Sequence, residues 1–222
     1  MRRGWVVAGI LLGLSSLAGV GAWGQGKYHS AGIAQGGSIA YPMNSSAPGI
    51  VSLDVSVDSS GYVQNVTVVR DVPPFTSVVQ NAVNGWQYTP AMVDGQGVNG
   101  TVRVDVAFNP YNPAGVGLPG ESLQAPTGGA GGDFAPAGVL KANYATYPAN
   151  TVASGTVVLQ VHVGSEGKVH GAIVVRGKGG LNGAATAAAK TWEFAPAMYK
   201  GKAVSSDVVV VFVFASPQAG TR

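Results

Sequence analysis

Between Ile50 and Val57 apolar and polar residues alternate. Val51, Leu53, Val55 and Val57 fall on one side of an extended chain, and Ser52, Asp54 and Ser56 fall on the other. A period of two predicts a strand with one buried face. Asp58-Ser59-Ser60-Gly61 follows as a predicted hairpin turn, and Val63 to Arg70 as the returning strand. The period then changes. Val79, Ala82, Val83 and Trp86 lie at i, i+3, i+4 and i+7, one face of a helix, with Pro73-Pro74 before it and Thr76 or Ser77 as the expected cap. Pro90 closes the helical region, Gly95 marks a turn, and Thr101 to Phe108 reads as a last strand.

The same pattern returns 106 residues later without a gap. Tyr41-Pro42 recurs as Tyr147-Pro148, Val68-Val69-Arg70 as Val174-Val175-Arg176, Trp86 as Trp192, and Pro90-Ala91-Met92 as Pro196-Ala197-Met198. About 25 of 68 aligned positions are identical, far above chance for an ungapped pairing. In the second copy Asn182 is the expected cap, and Ala185, Ala188, Ala189 and Trp192 take the inner helix face. The predicted fold class is α+β: two tandem β-β-α-β modules, each a three-stranded antiparallel sheet with a helix packed on one face. The repeat covers 41–109 and 147–215, and the expected domains are 41–109 and 141–216. Residues 110–140 are rich in Pro and Gly and lack apolar periodicity, so they read as a flexible linker, and 25–40 as a similar flexible leader. Residues 217–222 form a tail. Val208 to Phe214 is apolar at every position, where an alternating strand needs only one apolar face. Both of its faces are then covered, or the strand meets a partner.

Charge changes the picture little. Only 10% of residues are charged, and setting Arg2 and Arg3 aside leaves the positive and negative groups nearly balanced. No basic stripe interleaved with aromatics is present, so nucleic acid is not an expected partner. Absence of cysteine excludes disulfides, thiolate metal sites and a cysteine nucleophile. Arg2 and Arg3, the apolar run from Trp5 to Leu17 and the small residues up to Gly24 have the three parts of an export signal, expected over 1–24. The run is about 13 residues, short of the ~20 that span a bilayer. The expected location is therefore periplasmic or otherwise exported, with membrane contact only if this segment stays uncleaved.

The ordered set resembles the C-terminal domain of the TonB energy-transducer family. The set is Tyr-Pro, a Gly-initiated Val-alternating strand, a turn Gly, a Val-Val-Arg end and a helix closing in Trp. An aromatic (Tyr88, Phe194), Pro-Ala, a turn Gly and a final Val/Phe strand complete it. The resemblance implies a protein-binding domain that grips an extended segment of an envelope protein, such as an outer-membrane transporter, by adding it to the sheet near the last strand. Carried onto this chain, the expected partner-binding residues are Val102, Val104, Val106 and Phe108, and Val208, Val210, Phe212 and Phe214. Arg70 and Arg176 are further candidates, as strand-end charges present in both copies. The doubled domain and the cleavable N-terminus depart from a membrane-anchored transducer. That role, and a self-assembling envelope protein that forms homo-oligomers, are the alternatives.

No catalytic set, cofactor or metal is expected. His162 and His170 flank the second hairpin, but their first-copy counterparts are Ser56 and Gln64, and a site needs three or four ligands. Carboxylates are few; Asp54, Asp58 and Asp71 lie near one another in sequence, but Asp54 and Asp58 match Gln160 and Gly164 in the second copy, so no acid pair is repeated. Gly177-Lys178-Gly179-Gly180 lacks the spacing of a phosphate loop. Trp86 and Trp192 read as core plugs at helix ends rather than ligand platforms.

Overall fold

The computed structural model describes residues 28–43, 45–112, 114–124, 133–149 and 151–217. The expected signal over 1–24 and all but the start of the tail lie outside them. In the first copy the elements are β1 (Tyr28–His29), β2 (Gly32–Gln35), β3 (Gly49–Val57), β4 (Val63–Arg70), α1 (Phe75–Val83), β5 (Gln87–Thr89), β6 (Ala91–Val93), β7 (Gln96–Val98) and β8 (Gly100–Asn109). After β9 (Glu121–Ser122) the second copy repeats them as β10 (Phe134–Ala135), β11 (Gly138–Ala142), β12 (Gly155–Val163), β13 (Val169–Arg176), α2 (Asn182–Ala189), β14 (Glu193–Ala195), β15 (Ala197–Tyr199), β16 (Lys202–Val204) and β17 (Ser206–Phe214). Among the described residues the fold is α+β, mostly strand with two helices.

In each copy the long strands form the antiparallel trio that the alternation predicts: β3 pairs with β4 on one side and β8 on the other, and β12 with β13 and β17. The two trios do not stand apart. β8 and β17 pair in parallel, Val104 beside Val209 through to Asn109 beside Phe214, giving one six-stranded sheet in the order β13-β12-β17-β8-β3-β4.

This seam dictates the rest. Two equivalent edges can meet with strands parallel only by a half-turn about an axis along the strands, and that half-turn inverts the faces. α1 therefore packs on one face of the sheet and α2 on the other. Val51, Leu53, Val102, Val104 and Phe108 line the α1 core, together with Val158, Val209, Val211 and Val213 from the second copy. Leu159, Val161, Val208, Val210 and Phe212 line the α2 core, with Ile50 and Ala107 from the first. Both faces of β17 are thus covered, which accounts for its unbroken apolar run. Burying one valine contributes about 1.5–3 kcal/mol, so the seam holds because each copy finishes the other's core.

The expected flexible leader 25–40 and linker 110–140 are corrected over their described residues. β2 pairs with β5, and the chain then crosses behind the second copy, where the Ile39 amide donates to Thr156 Oγ1 at 2.8 Å and Ser30 Oγ accepts from the Asp207 amide at 2.9 Å. β11 pairs with β14 and then crosses behind the first copy, where the Ala145 amide donates to Asn109 Oδ1 at 2.8 Å. Each crossing segment covers the sheet face that the opposite helix leaves bare. The repeat itself runs further upstream than Tyr41, because Ala31-Gly32-Ile33 and Ala137-Gly138-Val139 keep the same offset.

Local details also differ from expectation. α1 begins at Phe75 after Pro74 with no side-chain cap; Thr76 Oγ1 instead accepts from the Val72 amide. Asn182 is the first residue of α2, and its Oδ1 accepts from the Lys178 amide. Trp86 and Trp192 lie three residues beyond their helices, and both are buried core plugs. Three short strands, not one tight turn, connect each helix to its last strand. Gly61 and Gly167 hold φ of 88° and 81° where the hairpin turn meets the carbonyls of Tyr88 and Phe194. Among the described residues no helix is long and apolar enough to cross a membrane.

Candidate partner-binding edges

The sheet puts the residues singled out by sequence in its middle. Val102, Val104, Val106 and Phe108 are fully buried beneath α1, and Val208, Val210, Phe212 and Phe214 are buried to within 1% beneath α2. From Val104 and Val209 onward their backbones are paired on both sides, β8 with β3 and β17, and β17 with β12 and β8; Val102 and Val208 lie just before the shared stretch and pair with β3 and β12 alone. An added strand needs unpaired N–H and C=O groups, and these two strands have none free along the seam. The expectation of a partner edge at 102–108 and 208–214 is corrected: each repeat already occupies that edge of the other.

Arg70 and Arg176 sit at the ends of β4 and β13, and both are bonded within the chain. The Arg70 guanidinium meets Glu121 Oε2 at 2.5 Å, and Glu121 also accepts from the Tyr144 hydroxyl. Arg176 donates to Ser38 Oγ at 2.7 Å. The two arginines thus reach equivalent positions of the crossing segments, Arg176 directly at Ser38 and Arg70 through Glu121 at Tyr144.

The open edges of the six-stranded sheet are its outer strands, β4 and β13, each paired on one side only. Both carry two register shifts against their partners. Such irregularities bend a strand and discourage indiscriminate edge pairing. On β13, Ile173 is 70% exposed. On β4 the corresponding position is Thr67, with Gln64, Asn65 and Val68 also exposed.

A buried polar cluster that sequence reading missed lies on the first copy's far face. Arg103 forms a two-pronged pair with Asp54, at 2.6 Å from Nε and 3.1 Å from the guanidinium NH2 nitrogen. Asp105, fully buried, accepts from Ser52 Oγ at 2.6 Å, and its Oδ2 has no hydrogen-bond partner. Burial pushes the Asp105 carboxyl up to about 6, with the charge of Arg103 and the Ser52 hydrogen bond opposing the rise. The signal was legible in the alignment. The second copy has Val158, Gln160, Val209 and Val211 at these four positions, so a face that is almost wholly apolar in one repeat is polar in the other.

The histidines hold separate partners. His162 Nδ1 lies 3.0 Å from Asp207 Oδ1, and His170 bonds to Glu166. Their ring centroids are 6.2 Å apart, and among the described residues no group of three or more His, Asp or Glu side chains is placed to hold a metal ion.

The family model for the Gram-negative bacterial TonB protein C-terminal domain matches residues 39–110 and again 143–215. The chain belongs to the TonB C-terminal family. No curated protein and no solved structure matches it. TonB C-terminal domains form a non-enzymatic protein-interaction family of the Gram-negative envelope, with outer-membrane transporters among their partners. Both matched regions end one residue past the last strand of their copy, so the seam joins the two TonB domains through β8 and β17.

Proposed function

We propose that this protein is a periplasmic, non-enzymatic binding protein that takes extended segments of envelope proteins onto the outer edges of its sheet, β4 and β13. The observation that carries the reading is the sheet order: two TonB domains are fused so that their last strands seal each other, and the open backbone is moved to the two ends. Main-chain hydrogen bonds to an open edge supply affinity, and the exposed side chains alternating along it supply selection. The sealed last strands are a poor alternative, because freeing them exposes parts of both cores at once.

A photo-crosslinking side chain placed at Thr67 or Ile173 tests this in the living envelope. Both positions should capture discrete protein partners, while the same group at Val104 or Val210 should capture none. Capture confined to the seam positions would overturn the assignment of the binding edges. Capture at none of the four would overturn strand addition altogether.

A further inference from the structure

The two outer edges differ most at one corner. After β4 the first copy continues Asp71-Val72-Pro73-Pro74 into α1, whereas the second copy has Gly177-Lys178-Gly179-Gly180 between β13 and α2. Prolines fix φ and hold a connection in one shape. Here they end an open groove of about 410 Å³ between the edge of β4 and the helix. Val68 and Asp71 line its sheet side, and Ser77 and Gln80 its helix side. The groove lies where a ligand strand on β4 would need it. Val68 pairs with Leu53, whose side chain belongs to the α1 core. Alternate side chains of a strand laid beside β4 would therefore project toward the groove.

The charge of the corner is set by what is already paired. Arg70 is held by Glu121, and no lysine or arginine lines the groove. Asp71 has no hydrogen-bond or ion-pair partner among the described residues. We propose that the β4–α1 groove binds an extended segment of another envelope protein that carries a lysine or arginine opposite Asp71. The proposal rests on the strand-addition reading and adds to it the chemistry of the ligand. A second copy's β13 is the poorer occupant. Its strand-end cation, Arg176, is already bonded to Ser38, and its two register shifts break a straight edge. The corresponding corner of the second copy carries Lys178 where the first has Val72, so the preference belongs to the first copy alone.

The test uses the full chain and a fluorescein-labelled decapeptide of alternating Val and Thr with one central Lys. Versions with Gln or Glu at the centre, and one N-methylated at alternate residues, complete the set. Anisotropy gives affinity, and amide exchange over 63–80 gives the location. The Lys peptide should bind about threefold tighter than the Gln peptide, the scale of one exposed ion pair, and the Glu peptide should bind most weakly. Asp71→Lys should reverse that order, and N-methylation should abolish binding. Equal binding of all three peptides, with protection still at 63–80, would overturn the charge preference and leave strand addition standing. Undiminished binding of the N-methylated peptide, or no protection at 63–80 with any peptide, would overturn both. Sedimentation showing that the chain occupies its own β4 edge would overturn the choice of occupant.

Discussion

Replacing Asp105 by Asn should make the protein more stable at neutral pH and remove one component of its pH dependence. Asp105 is fully buried in a central strand, and its carboxyl is pushed from 3.8 to about 6 by that burial. The folded-state value lies above the unfolded one, so the folded protein holds this proton more tightly. The associated stability is complete below about pH 3.8, falls as pH rises, and is lost once pH passes about 6. The rise corresponds to about 3 kcal/mol, a large share of the 5–15 kcal/mol that holds a typical domain folded. An amide at this position has the shape of the carboxyl and no charge to desolvate. Urea unfolding of both proteins at steps from pH 4 to 7.5 isolates the effect. Asp58 and Glu166, held low by hydrogen bonds from backbone amides and side chains, titrate alike in both proteins and cancel in the difference. So does any constant cost of the amide. The variant's stability minus that of the parent should grow by about 2 kcal/mol across this range, since part of the loss already lies below pH 4. A difference that stays flat, or that shrinks as pH rises, would refute the argument.

Three further outcomes follow from single contacts. Arg103→Met strands the buried Asp54 carboxylate and should cost about 3–5 kcal/mol in urea unfolding; restoring the balance with Asp54→Asn in the same chain should recover much of the loss. Gly167→Ala puts a Cβ against the Phe194 carbonyl at a φ of 81° and should cost at least ~1–3 kcal/mol, read as a lower thermal midpoint, whereas alanine at the half-buried Gly171, with nothing within 4 Å of its Cβ, should not. Trp192→Ala empties the centre of the α2 core and should cost about 3–5 kcal/mol, while Trp192→Phe should lose chiefly the 2.8 Å hydrogen bond to the Asn143 carbonyl.

The long elements were legible because each buries one face and therefore carries a period. Val51, Leu53, Val55 and Val57 announce β3, and Val79 and Val83 announce α1. The crossing segments announce themselves poorly. β1 and β10 are two residues long, and Tyr28 and Phe134 have no period to belong to. The usable clue was the repeat, since Ala31-Gly32-Ile33 and Ala137-Gly138-Val139 share the offset of the modules. The seam could not be read in full for a different reason. The apolar run at Val208 to Phe214 shows that β17 is covered on both faces but not by what, and β8 hides its half of the answer. Arg103 and Asp105 look like solvent-facing residues of a half-exposed strand. Only the crossing of the second copy's leading segment over that face buries them, and no local pattern reports a contact made by a segment more than thirty residues away.

On the proposed strand-addition reading, fusion of the two domains moves binding outward. An outside segment that would take the place of β17 on β8 competes with a strand of the same chain, and tethering through a linker of tens of residues sets an effective concentration in the millimolar range. Displacing β17 would also return Val209, Val211 and Val213 to water, at about 1.5–3 kcal/mol each, while baring the α1 core they complete. Lone β strands gain little that offsets such a loss, because water satisfies their hydrogen bonds almost as well. β4 and β13 present neither obstacle. Each has a partner on one side only, and a ligand there adds pairs without breaking any. Under the proposed reading, a duplicated domain whose last strands meet would therefore add strands through the hairpin edges.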